Sequence, residues 1–105
     1  MNIKIEIQLY YKYCKDIKLC TNDERDKNNL HDDKMSPIVC ITIFNNVYLV
    51  DGLNRLISKH TSDQSKIEIL NLAIISDKKN GDAVIKYICE MNNDEDDEIV
   101  NIDKL

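Results

Sequence analysis

The sequence has few residues that interrupt regular structure, with two glycines and one proline in 105 residues. This shortage excludes collagen-like and low-complexity chains, and no Gly/Ser-rich or Pro-rich linker divides the chain. Long apolar runs are also lacking, because a charged or amide residue follows each apolar residue from Met1 to Ile7. We therefore expect neither a signal peptide nor a membrane span, and a protein of the cytoplasm, or of a host cytoplasm if it is viral.

Cysteine is sparse and irregularly spaced, at Cys14, Cys20, Cys40 and Cys89. Four cysteines in this arrangement do not form the dense pattern of a small secreted disulfide scaffold, so we expect reduced thiols. Cys14 and Cys20 also lie outside the spacing of a zinc knuckle. No catalytic set or metal site can be assembled from spacing, and no cofactor is indicated. The sequence leaves open whether the protein is an enzyme.

The chain is rich in isoleucine, with sixteen copies, and in asparagine, with twelve, at a hydrophobic share of 43%. This composition and length are typical of one globular domain with a modest core. Its net charge of -5 is unevenly distributed. Residues 1–89 carry 13 basic and 12 acidic residues, a balance of +1, whereas residues 90–105 carry one lysine and seven acids, a balance of -6. We predict a domain over residues 1–92 and an acidic tail over residues 93–105.

The hydrophobic pattern predicts strands in the first half of the chain. Apolar and polar residues alternate over residues 3–9, which predicts a strand with one buried face. Residues 10–20 fit either a short helix or a strand, with a slight preference for a strand or turn, and residues 21–36 predict a loop. Ile38–Phe44 and Val47–Val50 should then pair as a hairpin through a turn at the two asparagines between them.

The second half of the chain predicts two helices around a strand. Apolar residues spaced three and four apart predict a helix from Leu53 to His60. Lys66–Ser76 predicts a strand with a buried centre, and Asp82 is a candidate N-cap for a second helix after a loop over residues 77–81. The predicted fold class is α+β, a small mixed sheet with an N-terminal strand, a hairpin and two helices in a β-β-α-β-α order.

The stretch VYLVDGLNRLISKH contains a candidate anion site at its strand-to-helix turn. A helix that begins near Gly52 or Leu53 leaves its first backbone N–H groups unpaired and presents the positive end of its dipole. Gly52 allows a ligand oxygen to approach the backbone closely, and Arg55 carries planar donors suited to phosphate. A second interpretation needs no ligand, because an Asp51 N-cap that pairs with Arg55 explains the same residues.

The run SPIVCITIFNNVYLVDGLNRLISK, with the strand and helix after it, resembles the central part of the ParB/sulfiredoxin-like superfamily over residues 36–91. In that family a P-I-x-V strand, a hairpin and an ID-G-x-x-R turn lead into a helix, matched here by Pro37, Asp51, Gly52 and Arg55. The resemblance implies a phosphate-bearing ligand, since ParB-like members bind cytidine triphosphate or contact DNA and sulfiredoxin-like members use ATP. This turn has no cysteine, and Asn54 precedes a single arginine where ParB-like turns carry two.

Two functions from different classes follow from these observations. The first is a small ParB/sulfiredoxin-like domain that binds a nucleotide or nucleic-acid phosphate at Asp51, Gly52, Asn54 and Arg55. The second is an acidic stoichiometric inhibitor or immunity-type protein that binds a basic protein surface, as a mimic of nucleic acid. Its partner-binding residues would be the five consecutive acids Asp94, Glu95, Asp96, Asp97 and Glu98.

Three other groups carry weaker signals. His60, on an apolar helix face, is more typical of a helix end than of a catalytic base. Residues 31–33, a histidine and two aspartates, have metal-ligand side chains but no second His or Cys at zinc spacing. The adjacent Tyr10 and Tyr11, with Tyr13 nearby, must point to opposite faces of a strand, so at least one ring should be exposed. That ring would be either an interface anchor or a cover for the edge of the core.

Overall fold

The computed structural model of the protein describes residues 2–20, 36–91 and 99–102. In this part the chain forms six strands and two α-helices, which confirms the predicted α+β class with a mixed sheet. In chain order the elements are β1 (Ile3–Tyr13), β2 (Ile17–Cys20), β3 (Ile38–Ile43), β4 (Asn46–Asp51), α1 (Leu53–Lys59), β5 (Lys66–Ile75), α2 (Lys78–Met91) and β6 (Ile99–Asn101). A short 3-10 turn, Cys14–Asp16, joins the first two strands. The segment that the pattern left open is therefore the end of β1, this turn and β2.

The strands form one sheet in the order β1-β5-β3-β4-β2-β6. β1 pairs antiparallel with β5, β5 pairs parallel with β3, and β3 pairs antiparallel with β4. β4 then pairs parallel with β2, and β2 pairs antiparallel with β6. In the described part of the chain, β1 and β6 are thus the two edge strands.

The β3–β4 hairpin is confirmed, but its turn lies one residue earlier than predicted. Ile43 pairs with Asn46, so the two-residue loop consists of Phe44 and Asn45. Both have positive φ, 49° and 66°, as a turn that matches the twist of its flanking strands requires. The Phe44 N–H donates to the carbonyl of Ile75 at 3.1 Å, which ties the turn to β5. Asn46 therefore belongs to β4 rather than to the turn.

The sheet carries one hydrophobic cluster on each face. The first cluster surrounds α1 and includes Leu53 and Leu56 of that helix, packed against the central strands. The second lies under α2 and includes Ile88 and Cys89. Because β5 contributes Ile67 and Ile69 to the first cluster and Ile75 to the second, its buried side chains change faces along the strand.

The change of face in β5 occurs at a pair of irregularities in strand register. The pairing of β1 with β5 shifts between Ile5 and Gln8, and that of β3 with β5 shifts between Cys40 and Thr42. Both shifts lie beside Asn71, which is only 2% exposed. Its Nδ2 donates to the Glu6 carbonyl at 2.9 Å, and its Oδ1 accepts from the Thr42 hydroxyl at 2.8 Å. Asn71 thus supplies a partner for one backbone carbonyl at the interrupted ladder, and the Thr42 hydroxyl satisfies the buried oxygen of Asn71 itself.

The second helix begins earlier than predicted, so residues 78–81 are helical and not a loop. Asp77, not Asp82, caps it: its Oδ2 accepts from the Asn80 N–H at 3.0 Å and its Oδ1 accepts from Asn80 Nδ2 at 2.9 Å. Asp82 lies one turn inside α2, where its charge adds to burial in raising the pKa of Tyr48. Glycine is needed at position 81, although it is a poor helix former, because a Cβ there would lie 2.8 Å from Cγ2 of Ile43.

Two further predictions need correction. Within the predicted acidic tail, Ile99–Asn101 form β6, and the next residue, Ile102, joins the first cluster at 6% exposure. The expectation of four reduced thiols is wrong for Cys20 and Cys89, which form a disulfide with a Cα–Cα distance of 5.0 Å. Both residues are apolar and buried, so they were placed together by the core rather than by any spacing in the sequence.

The prediction of a buried apolar face on the first strand is also wrong. Residues 3–9, where apolar and polar residues alternate, do form a strand, as predicted, and the strand continues to Tyr13. However, Ile5 is 73% exposed and Ile7 is 69% exposed. The reason is that α2 packs near β2 and the middle of the sheet and leaves this side of β1 uncovered.

Candidate functional site

The predicted anion turn lies between the end of β4 and the start of α1. Gly52 has φ of 114°, and a Cβ on it would lie 2.7 Å from Cγ2 of Ile38. Its carbonyl accepts the first helical hydrogen bond, from the Leu56 N–H at 3.0 Å. Gly52 is therefore required by the left-handed backbone and by the close approach of β3, whether or not a ligand binds.

Arg55 is held inside this turn. Its Nη2 lies 3.8 Å from Asp51 Oδ2 and 3.0 Å from the position that a Cβ of Gly52 would take. The Arg55 side chain is 20% exposed, whereas that of Asp51 is 79% exposed. The guanidinium therefore lies over the backbone of Gly52 with a carboxylate as its ionic partner. The ion pair of the second interpretation is thus present, but its Asp51 N-cap is wrong, because Gly52 is the N-cap and no side chain caps the helix.

The start of α1 nevertheless has features that favour an anion. Gly52 occupies the N-cap, no side chain accepts a hydrogen bond there, and the first turn contains no acidic residue. Asn54 is exposed beside Arg55. The four predicted ligand residues thus lie together at one end of α1, but that helix has only seven residues and its arginine is ion-paired.

The other predicted residues have structural positions. His60 is the C-cap of α1, and its backbone N–H donates to the Leu56 carbonyl at 3.0 Å. Residues 31–33 and the acidic run Asp94 to Glu98 lie outside the described residues. Among the residues that the structure does describe, no three metal-ligating side chains form a group.

The two free thiols are buried, and burial raises the pKa of both. Cys14 and Cys40 are both fully buried. Burial raises the pKa of Cys40 to about 12 and also raises the pKa of Cys14. Since the thiolate is the reactive form of cysteine, neither residue is suited to act as a nucleophile.

The most exposed apolar surface in the described part of the chain is on β1. Five side chains on one face of this strand project outward, and we call them the β1 stripe: Ile5, Ile7, Leu9, Tyr11 and Tyr13. Leu9 pairs with Leu70 and Tyr11 with Glu68 of β5, on the side of the sheet opposite α1. Among the described residues, no strand pairs with the outer edge of β1, and the stripe borders a part of the sheet that neither described helix covers.

Sequence reasoning found part of this surface through its tyrosines. Tyr11 is 67% exposed, as expected for at least one of the adjacent rings, whereas Tyr10 packs against the first cluster. Tyr13 lies between two lysines, with Lys66 Nζ 4.7 Å and Lys15 Nζ 5.6 Å from its ring centroid. The three isoleucine and leucine side chains beside them were missed, because alternation alone does not say which face of a strand is covered.

Comparison with known proteins identified no protein similar to this chain. No protein-family model matches the chain, and the searches of curated proteins and of solved structures also found no match. None of the described helices is long and apolar enough to cross a membrane. The fold and its exposed surfaces therefore define a small α+β domain with an apolar edge strand, and the ParB/sulfiredoxin-like resemblance stays a prediction.

Proposed function

We propose that this protein is an interaction domain that binds an extended protein strand along the open edge of β1. The observation that carries the proposal is the β1 stripe on an edge strand of 11 residues. Natural proteins usually shorten or charge such edges, because their free backbone groups pair readily with another chain. A long edge with five exposed apolar side chains is typical of a surface that is covered in a complex.

Strand addition explains how such a surface would bind. The backbone of β1 would exchange hydrogen bonds with the incoming strand, and alternate side chains of that strand would pack beside the stripe. Large aromatic side chains near the centre of an interface contribute strongly to affinity, and Tyr11 is next to Leu9, the central residue of the stripe. Neither step requires a cofactor or a catalytic group.

Site-specific photocrosslinking in cells that make the protein tests this proposal. We expect Tyr11→p-benzoylphenylalanine to form a covalent adduct with a bound protein. Tyr87 of α2 is the matched control, since it is also a tyrosine and is exposed to a similar extent, 63% against 67%. Adducts from position 87 but none from position 11 would refute the proposal.

The acidic inhibitor or immunity-type function is also a protein-binding function. Its proposed contacts, Asp94 to Glu98, would bind a basic surface through charge rather than through β1. Deletion of residues 94–98 separates the two ideas. A position 11 adduct that survives this deletion supports binding through β1, and its loss would assign the interaction to the acidic run.

A second candidate is the phosphate site at the turn, which the ParB/sulfiredoxin-like resemblance implies. It is supported by the uncapped start of α1 beside a guanidinium, and by the order β3-β4-α1-β5-α2, which has the predicted β-β-α-β-α sequence of elements. A phosphate would have to compete with Asp51 for Arg55. This competition leads us to rank the site below β1.

Thermal unfolding with nucleoside triphosphates tests the turn. A ligand at 100 times its Kd should stabilise the folded protein by about 2.7 kcal/mol, and Arg55→Lys should reduce that gain because a lysine lacks the planar pair of donors. Lys59→Gln is the control, since Lys59 lies in the last turn of the same helix. An equal gain in both variants, or no gain in the unmodified protein, would remove the turn from consideration.

A further inference from the structure

We propose that the strand which binds β1 is the β1 strand of a second copy of this chain, paired antiparallel about a two-fold axis at Leu9. This inference rests on the proposed function and names the partner. It follows from the pattern of charges along the strand. On the face opposite the stripe, β1 carries Lys4, Glu6 and Lys12 as its charged residues.

A two-fold axis restricts which registers are available. In an antiparallel pair, directly opposite residues lie on the same face of the sheet, so odd positions must face odd positions and even must face even. Only a register centred on a residue has this property. Residue i of one copy then faces residue j of the other, and j faces i, so every contact occurs twice.

The charges select one of these registers. Centring the pair on Leu9 places Glu6 of each copy opposite Lys12 of the other, which gives two pairs of opposite charge. Centring it on Gln8 would place Lys4 opposite Lys12, and centring it on Glu6 would place two glutamates together, so both registers oppose like charges.

The charges and the length of the pairing separate this register from two others. One centred on Ile7 pairs residues 3–11, as many positions as the register centred on Leu9, but it places no two opposite charges together. A register centred on Ile5 also joins opposite charges, Lys4 with Glu6, but the positions within β1 that it can pair are only Ile3–Ile7. The register centred on Leu9 pairs residues 5–13, most of the strand, and these positions include the irregular stretch of each copy between Ile5 and Gln8. It therefore combines charge complementarity with the larger number of backbone hydrogen bonds.

The same register also brings the apolar stripes together. Ile7 of each copy faces Tyr11 of the other, Ile5 faces Tyr13, and the two Leu9 side chains meet at the axis. Isoleucine beside an aromatic ring is a favourable cross-strand pair. The dimer would thus have one continuous sheet in which the two stripes lie side by side on a single face.

The mass of the full chain in solution provides the first test. Analytical ultracentrifugation should detect a dimer of the 12.2 kDa chain. Its Kd should be independent of the disulfide, since neither Cys20 nor Cys89 lies on β1. A protein that stays monomeric at concentrations of about 100 µM would overturn the inference.

Charge reversal tests the register. Glu6→Lys and Lys12→Glu should each raise the Kd of the dimer by about tenfold or more, because each change opposes like charges at two symmetric positions. Glu6→Lys combined with Lys12→Glu should restore the original Kd to within about threefold. Failure of the double variant to recover dimerisation would refute this register.

Lys4→Glu is the matched control on the same strand. In the register centred on Leu9, position 4 lies outside the paired residues 5–13, so Lys4 faces no charged residue of the other copy and the Kd should stay within about threefold of the original. Its ion pair with Glu6 of the same chain, 3.9 Å from Nζ to Oε1, is exposed and therefore contributes little. A large effect of Lys4→Glu with none from Lys12→Glu would assign the pairing to Ile5 instead. Thermal unfolding of each variant shows whether the monomer fold is retained.

Photocrosslinking distinguishes failure of this inference from failure of the proposed function. In the purified dimer, Tyr11→p-benzoylphenylalanine should link to residues around Ile7 of a second copy. If position 11 instead links only to a different protein in cells and the pure chain is monomeric, β1 is still an interaction strand but its partner is not a second copy. If position 11 links to nothing, both proposals are wrong.

Discussion

At the scale of single residues, Asn71 explains how an irregular sheet keeps its backbone groups paired. All the buried positions of β5 hold apolar residues except position 71, which holds an amide. Its two hydrogen bonds, to the Glu6 carbonyl and from the Thr42 hydroxyl, lie where the register shifts. The sequence predicted β5 but not this role, because a shift in register has no local signal in the strand that contains it.

Replacing Asn71 by leucine should therefore destabilise the protein although the side chain is similar in size. Asn71→Leu leaves the partly buried Glu6 carbonyl and the Thr42 hydroxyl without their partner, at a cost of about 1–3 kcal/mol of unfolding free energy. Urea unfolding followed by circular dichroism measures the change. Thr42→Val is the control for the smaller loss of one donor, and a leucine variant as stable as the parent would contradict the role assigned to Asn71.

The two glycines of the chain are required for different reasons, one by its backbone conformation and both by a close neighbour. Gly52 has a left-handed backbone and a neighbour at 2.7 Å from its virtual Cβ, whereas Gly81 is helical and its nearest neighbour is at 2.8 Å. Gly52→Ala should cost at least about 1–2 kcal/mol from the backbone alone. Gly81→Ala meets a similar clash but recovers about 1 kcal/mol of helix propensity.

We therefore expect Gly52→Ala to be the more destabilising of the two changes. Urea unfolding of both variants under the same conditions gives the comparison. Equal losses would mean that packing against Ile38 and Ile43 dominates and that the backbone of Gly52 is under no special constraint.

At the scale of elements, the sequence predicted the strands and helices better than the surfaces they present. The alternation in β1 and the spacing of apolar residues in α1 are local signals, and both elements formed. Whether the apolar face of β1 is covered depends on where α2 packs, which no local pattern contains. The candidate turn was identified because all of its residues are adjacent in the chain, whereas the β1 stripe required the sheet order.

The start of α2 is an element boundary at which the sequence offered two aspartates. Both Asp77 and Asp82 precede helical residues, but only Asp77 has an asparagine three positions later that can satisfy its second oxygen. Two hydrogen bonds lower the pKa of Asp77 below its usual 3.8: the bond from the Asn80 N–H has the larger effect and the bond from the Asn80 side chain the next. The charged form of Asp77 is thus favoured in the folded state.

This shift predicts how the stability of α2 depends on pH. Since the pKa is lower in the folded protein, the contribution of Asp77 is fully present above its unfolded value near 3.8 and is lost as the pH falls through the folded value. Asp77→Asn keeps a good cap without the charge, so we expect it to be less stable than the parent at about pH 6 but equal to it in strong acid. Urea midpoints at several pH values measure this, and a constant difference would contradict the assignment.

At the scale of the whole molecule, the two faces of the sheet are held by different means. The first cluster closes around α1 and also takes in Ile102 from the end of the described chain. The second joins α2 to the sheet through the disulfide between Cys20 and Cys89, which are 69 positions apart in sequence. A stable disulfide is more typical of an oxidising compartment than of the predicted cytoplasm, so the redox state of this pair bears directly on location.

Reduction should weaken the whole fold without abolishing it. Opening a loop of this length lowers the free energy of unfolding by about 4 kcal/mol in the chain-entropy account. The fold should survive, because the clusters remain and the reduced Cys20 thiol can donate to the Ile85 carbonyl at 3.7 Å. Thermal unfolding with and without reductant measures the loss, and a Cys20→Ala/Cys89→Ala variant should not respond to reductant. A Cys14→Ala/Cys40→Ala variant should respond as the parent does, because it keeps the bond.

Titration of thiols in denaturant should find two in the untreated parent and four after reduction, since the free cysteines are Cys14 and Cys40. Four thiols before reduction would instead support the reduced state and the cytoplasmic location predicted from the sequence.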